Sequence, residues 1–137
     1  MIKDDCIFCK LANGVFPTNT VYEDDDFRAI LDIEPATKGH CLILPKNHYK
    51  NISEVPQELA GKMLAMGAKL GEAARGAFKA DGYNILVNTD EAAGQTVFHT
   101  HMHVIPRHTD DKAFKMWTPG EAEDVKGMAE AIKANLK

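Results

Sequence analysis

Three histidines stand at alternate positions, His99, His101 and His103, within the run Gly94 to Arg107, GQTVFHTHMHVIPR. Such alternation predicts a β-strand, in which residues i, i+2 and i+4 share one face. A strand rises ~3.3 Å per residue, so neighbouring histidines would lie ~6.6 Å apart and the outer two ~13 Å apart. Adjacent rings could share one small ligand or ion. All three could not, so they need separate jobs. Two chemistries suit them. In the first, a neutral imidazole attacks phosphorus and forms a phosphohistidine that water later cleaves, with His101 as the ring that both neighbours reach. In the second, the row holds a catalytic metal, as an H-x-H pair does in zinc hydrolases. Gly94, Gln95 and Thr96 enter the strand as a small-residue loop. They offer backbone N–H groups, an amide and a hydroxyl to phosphate oxygens, and Thr96 could hand a proton to a leaving group. No G-x-x-x-x-G-K-[ST] loop occurs, so a magnesium-dependent P-loop mechanism is not indicated.

Cys6-Ile7-Phe8-Cys9 is a C-x-x-C pair, open to three readings: buried thiols, half of a metal knuckle, or a redox pair. Redox is disfavoured because no βαβ context follows. Cys6, Cys9, His48 and His99 make a Cys₂His₂ set that would close a tetrahedral zinc site and leave no position for water. On that reading the metal is structural: it ties the N-terminal knuckle to the histidine strand. Only the C-x-x-C half carries a specific spacing.

Those groups must be positioned by one domain, because 137 residues suffice for a single core. The net charge of -4 speaks against a nucleic-acid groove, which needs clustered Lys and Arg. No apolar run approaches the ~20 residues of a membrane span, and MIKDDCIF lacks the apolar core of a signal peptide. The expected compartment is the cytoplasm, where three cysteines argue for metal or reactivity over disulfides.

Residues 20–23 and 27–32 read as two short strands around Asp24-Asp25-Asp26, and Asp32 closes the second as an ordinary turn former. His40 to Pro45 is a strongly apolar strand with Cys41 as a small core residue, and His48 falls on the following loop. From Pro56 to about Ala80 the apolar positions take helical spacing, interrupted by Gly61, Gly67, Gly71 and Gly76. That smooth face is expected to pack closely, either on a second copy of the chain or on the chain's own sheet. A strand over 83–88 precedes the histidine strand, and 109–117 looks irregular. A last helix is expected from Thr118-Pro119-Gly120-Glu121, a capping box, with Val125, Met128, Ala129, Ile132 and Leu136 as its apolar stripe. The sum is an α+β domain with about five strands, largely antiparallel, one long central helix and a C-terminal helix.

His99-Thr100-His101-Met102-His103-Val104-Ile105 resembles the defining pattern of the histidine triad (HIT) family, His-φ-His-φ-His-φ-φ, with Thr100 the one less apolar position. The likeness runs over most of the chain, through Cys6-Ile7-Phe8-Cys9, Leu31-Asp32-Ile33, Gly39-His40, Leu44-Pro45-Lys46-Asn47-His48, Gly94-Gln95 and Pro106-Arg107. It is nearest to the zinc-bearing, Hint-like branch. The resemblance implies a nucleotidyl hydrolase or transferase acting on an α-phosphate, with His101 as the nucleophile that becomes nucleotidylated. It implies that His103 bonds the phosphate, that His40 supports His101 through a buried network, and that Asp32 holds the ribose. Ile7, Phe8, Leu11, Ile30 and Ile33 would line the base pocket, with Asn88, Gly94, Gln95 and Thr96 around the phosphate. Hint-like members often carry serine where Thr96 stands here. The family forms two-fold dimers, and its Cys-bearing relatives put zinc on a set like Cys6, Cys9, His48 and His99. The expected substrate is a purine nucleoside phosphoramidate. Within the family the alternative is a dinucleoside polyphosphate, and outside enzymes it is a zinc-stabilised nucleotide-binding module.

Overall fold

A computed structural model describes all residues from Met1 to Lys137. The elements are α1 (Ile7–Ala12), β1 (Thr20–Glu23), β2 (Phe27–Leu31), β3 (Cys41–Pro45), α2 (Gln57–Phe78), β4 (Gly82–Leu86), β5 (Met102–Arg107) and α3 (Val125–Asn135), with short 3-10 turns before α2 and β5. The five strands form one sheet in the order β1-β2-β3-β5-β4, and every pairing is antiparallel. The α+β architecture therefore stands as expected, and no helix is long and apolar enough to cross a membrane.

Strand alternation divides the interior into two clusters. Cys41 and Ile43 join Phe27, Ala29, Met102, Val104 and Met63 in the cluster beneath α2. Leu42 and Leu44 point the other way and meet Ile30, Ala12, Phe8 and Leu11 under α1. β3 is central and covered on both faces, which is why its run of five residues is wholly buried. Met63 and Ile43 have no exposed surface, and each contributes roughly 1.5–3 kcal/mol by burial.

Two boundaries differ by several residues from the sequence reading. β5 starts only at Met102, so His99 and His101 precede the strand and His103 alone lies within it. Its ladder stops there because β4 ends at Leu86, opposite His103, and β3 pairs no further than Ile43 with Met102. The last helix starts at Val125, because the Asp124 side chain accepts the Gly127 N–H and caps it in place of Thr118. Its stripe of Val125, Met128, Ile132 and Leu136 is exposed. The 109–117 segment is irregular, as expected, and has an anchor. The Arg107 guanidinium bonds Asp111, the Asn84 side chain and the Phe114 carbonyl, and it stacks on the Phe114 ring at 4.2 Å.

The glycines of α2 serve two different surroundings. At Gly71 a Cβ would overlap the Tyr83 ring, and at Gly67 it would come 3.1 Å from the Met102 sulfur. At Gly61 and Gly76 it would meet nothing within 4 Å. Close packing of α2 on the chain's own sheet thus accounts for two of the four. Gly71→Ala should lower stability by about 1–2 kcal/mol, overpacking exceeding the gain in helix propensity, whereas Gly76→Ala should raise it by up to ~1 kcal/mol. Urea midpoints of the two variants check this, and shifts of the same sign would contradict it.

Candidate active site

The cleft lies on the α1 side of the sheet. It is a cavity of about 450 Å³ that brings Ile7, Phe8, Leu11, Ile30 and Ile33 together with Asp32, Thr96, His101 and His103. All five residues expected to line a base pocket are present. Pro17, Thr18, Asn19, Glu34 and Val97 line it too and carried no chemical motif; only the turn-forming types in Pro17-Thr18-Asn19 marked a loop there.

Four histidines in and behind the cavity are held neutral, because burial pushes each below its ordinary value of 6.5. For His99 and His103 the fall reaches about 4. A neutral ring carries one proton, and its fixed partners determine on which nitrogen. The His101 Nδ1–H donates to the His99 carbonyl at 2.7 Å, so the Nε2 of His101 keeps its lone pair. The Ala36 N–H donates to His40 Nδ1 at 2.9 Å, which places the His40 proton on Nε2. That proton is donated to His103 Nδ1, also at 2.9 Å, so His103 carries its own proton on Nε2. The cleft thus holds one imidazole with a free lone pair beside one with a free N–H, their ring centres 5.0 Å apart. Phe8 stands edge-on to His101 at 4.9 Å and fixes the plane of that ring.

Two expected contacts are arranged differently. His40 reaches His103 directly and not His101, whose support comes from a backbone carbonyl. Gln95, Gly94 and Asn88 do not line the cavity. The Gln95 side chain is buried, and its amide is consumed by backbone: it accepts the Asp90 N–H at 2.8 Å and donates to the carbonyls of Lys50 and Val97. Asn88 packs against Gly94, which turns the loop at a φ of 100°. Asp32 lies at the cavity with one oxygen accepting the Glu34 N–H at 2.8 Å and the other 3.6 Å from His40 Nε2.

Behind the cleft, Cys6, Cys9, His48 and His99 bring one ligand atom each into a common cluster. The His99 Nε2–H donates to the Pro45 carbonyl at 2.9 Å, which leaves Nδ1 with its lone pair toward both sulfurs. Sulfur–nitrogen separations in the cluster are 3.4–3.5 Å. A tetrahedral ion with Zn–S ~2.3 Å and Zn–N ~2.0–2.1 Å has S···N edges of ~3.5 Å, so this donor set fits one. Asp32, His40 and His103 also converge. There the His40 Nε2 carries a proton, and moving it would set Nδ1–H against the Ala36 N–H. The first group can hold a metal and the second is built as a hydrogen-bond chain.

The sequence matches the HIT domain family over residues 13–110. It is 43% identical over 123 residues to Protein hit of Bacillus subtilis, covering 90% of this chain and 85% of that one. It is 42% identical over 110 residues to Adenylylsulfatase HINT3 of Arabidopsis thaliana, covering 80% of this chain and 56% of that protein. Among solved structures, SMU.412c from Streptococcus mutans superposes with a TM-score of 0.90 at 42% identity, covering 98% of this chain and 87% of the other. A zinc-bound histidine triad family protein from Mycobacterium smegmatis gives a TM-score of 0.77 at 43% identity, covering 85% and 84%. With the family match spanning most of its length and relatives this similar, the chain belongs to the HIT domain family.

Proposed function

We propose that this chain hydrolyses purine nucleoside phosphoramidates by double displacement at His101, releasing a nucleoside monophosphate and an amine. The observation that carries the reading is the bond from His101 Nδ1–H to the His99 carbonyl, which leaves Nε2 as a neutral nucleophile at the cavity. The apolar wall of Ile7, Phe8, Leu11, Ile30 and Ile33 takes the base, and the Asp32 carboxylate takes ribose hydroxyls. The His103 Nε2–H bonds a phosphate oxygen, with His40 and the Ala36 N–H behind it as the chain that fixes that proton. The Nε2 lone pair forms the bond to phosphorus as the phosphorus–amine bond breaks, its electron pair leaving on the amine nitrogen. That nitrogen takes the Thr96 hydroxyl proton, which water at this exposed residue replaces. Water then attacks phosphorus and gives up one proton to solvent, the bond to Nε2 breaks, and its electron pair returns to His101. The relative named as an adenylylsulfatase is in keeping with scission at a nucleotide's α-phosphorus.

Cys6, Cys9, His48 and His99 would hold a structural zinc. Bound there it supplies folding free energy, with all four positions closed by protein and none left to activate water. The zinc-bound relative supports the choice of ion.

His101→Ala should lower turnover of adenosine 5′-phosphoramidate by roughly ten-thousandfold or more, while AMP affinity stays within a few-fold. Unchanged turnover by that variant would remove the nucleophile assignment, and absent single-turnover product from the parent protein would favour a binding module. Chelating the metal should lower Tm by at least ~5 °C, with activity lost as the fold melts. Turnover that stops while Tm holds would assign the ion to catalysis.

A further inference from the structure

The Ala36 N–H that fixes the His40 proton comes from a turn with few ties to the rest of the chain. Residues 33–39 lie between β2 and β3, and all but Thr37 and Gly39 are exposed. The turn closes on itself through the His40 N–H, which donates to the Thr37 carbonyl at 3.2 Å. Its last residue, Gly39, is seated at the end of α2, where a Cβ would overlap the Phe78 ring. One hydrogen bond leaves the turn for a distant part of the chain: the Thr37 hydroxyl donates to the Pro106 carbonyl at 2.6 Å.

The strand pattern leaves that carbonyl in need of a donor. The Arg107 carbonyl turns toward β4, where it accepts the Asp81 N–H at 2.8 Å. Successive carbonyls along a strand point to opposite edges, so the Pro106 carbonyl turns toward β3. The β3 ladder begins with Cys41 opposite Val104, and no β3 residue stands opposite Pro106. The Thr37 hydroxyl supplies the donor that a continuing strand would have supplied. Ala36 immediately precedes Thr37, so the tether on one residue sets where the N–H of the other points. That N–H is the outer end of the chain that runs through His40 to His103.

We propose that Thr37 is a positioning residue for the proton chain behind His103: by fastening the turn to Pro106, its hydroxyl keeps the Ala36 N–H on His40 Nδ1. This rests on the phosphoramidate reading, in which His103 donates to a phosphate oxygen. With the turn released, His40 is free to carry its proton on Nδ1, because the Ala36 N–H alone occupies that nitrogen. His40 Nε2 then accepts from His103 Nδ1–H, and the His103 nitrogen at the cleft holds a lone pair against the phosphate. The Asp32 carboxylate lies 3.6 Å from His40 Nε2, beyond hydrogen-bond length, so it does not replace the Ala36 N–H in setting that proton.

The test compares Thr37→Val, which keeps the side-chain shape and removes the hydroxyl, with Thr37→Ser, which restores the hydroxyl. Ring-nitrogen NMR should show His40 and His103 each protonated on Nε2 in the parent protein and in Thr37→Ser. In Thr37→Val, His103 should be protonated mostly on Nδ1. With adenosine 5′-phosphoramidate, kcat of Thr37→Val should fall about tenfold with KM within about twofold, the pattern of a hydrogen bond lost in the transition state, and Thr37→Ser should recover most of it. Thr37→Ala, which admits water to the Pro106 carbonyl, takes the place of Thr37→Val should that variant not fold. Unchanged ring protons or unchanged kcat without the hydroxyl, or a loss that Thr37→Ser does not recover, overturns the positioning role and leaves the phosphoramidate reading standing. His103 protonated on Nδ1 in the parent protein, or no turnover by it, overturns both.

Discussion

One peptide unit, that of His99, fastens the two halves of this site together. Its ring is tied through Nε2 to the Pro45 carbonyl and presents Nδ1 to the cysteine sulfurs. Its carbonyl accepts the His101 Nδ1–H. The cysteine knuckle and the proposed nucleophile are therefore one covalent residue apart in what holds them. Neighbouring backbone keeps that peptide in place. The Tyr49 carbonyl accepts both the N–H and the hydroxyl of Thr100, and Gln95 clamps the loop before it to Lys50. A neutral imidazole has one proton to place. Commitment of one nitrogen to a rigid acceptor decides what the other can do.

The sheet makes this rigidity possible by giving its two faces different work. On the α2 face, close packing of Gly67 and Gly71 against Met102, Ile85 and Tyr83 leaves no room for adjustment. On the α1 face, the same strands present Ile30, Leu42 and His103 to a short helix that covers only part of them. The uncovered part is the cleft. Alternation along β5 places Met102 and Val104 in the core and His103 on the opposite face.

Much of this could be read from the residues. Alternation and turn types located the five strands, and helical spacing located α2. The C-x-x-C pair with His48 and His99 identified a donor set that converges in space. What escaped depended on where backbone groups found partners. Gln95 has an amide well suited to a phosphate, yet three backbone groups consume it, and nothing in Gly94-Gln95-Thr96 encodes those partners. His99 and His101 keep the spacing of a strand without its ladder, because β4 ends at Leu86 and β3, though it runs on to Pro45, pairs with β5 no further than Ile43. The capping signal at Thr118 lost to Asp124, the better capping residue, with no packing on 118–123 to favour the earlier start. Thr100, the one less apolar position in the motif, is buried because its hydroxyl has the Tyr49 carbonyl.

The proposed chemistry rests on which ring nitrogens carry protons, and ring-nitrogen NMR reads this directly. In ¹⁵N-labelled protein, long-range proton–nitrogen correlations should show His101 protonated on Nδ1 and His103 on Nε2. With its pKa near 4, the His103 ring should stay neutral as pH is lowered through 6.5 to ~5.5. Finding the His101 proton on Nε2, or His103 gaining charge at or above pH 6.5, would contradict the account.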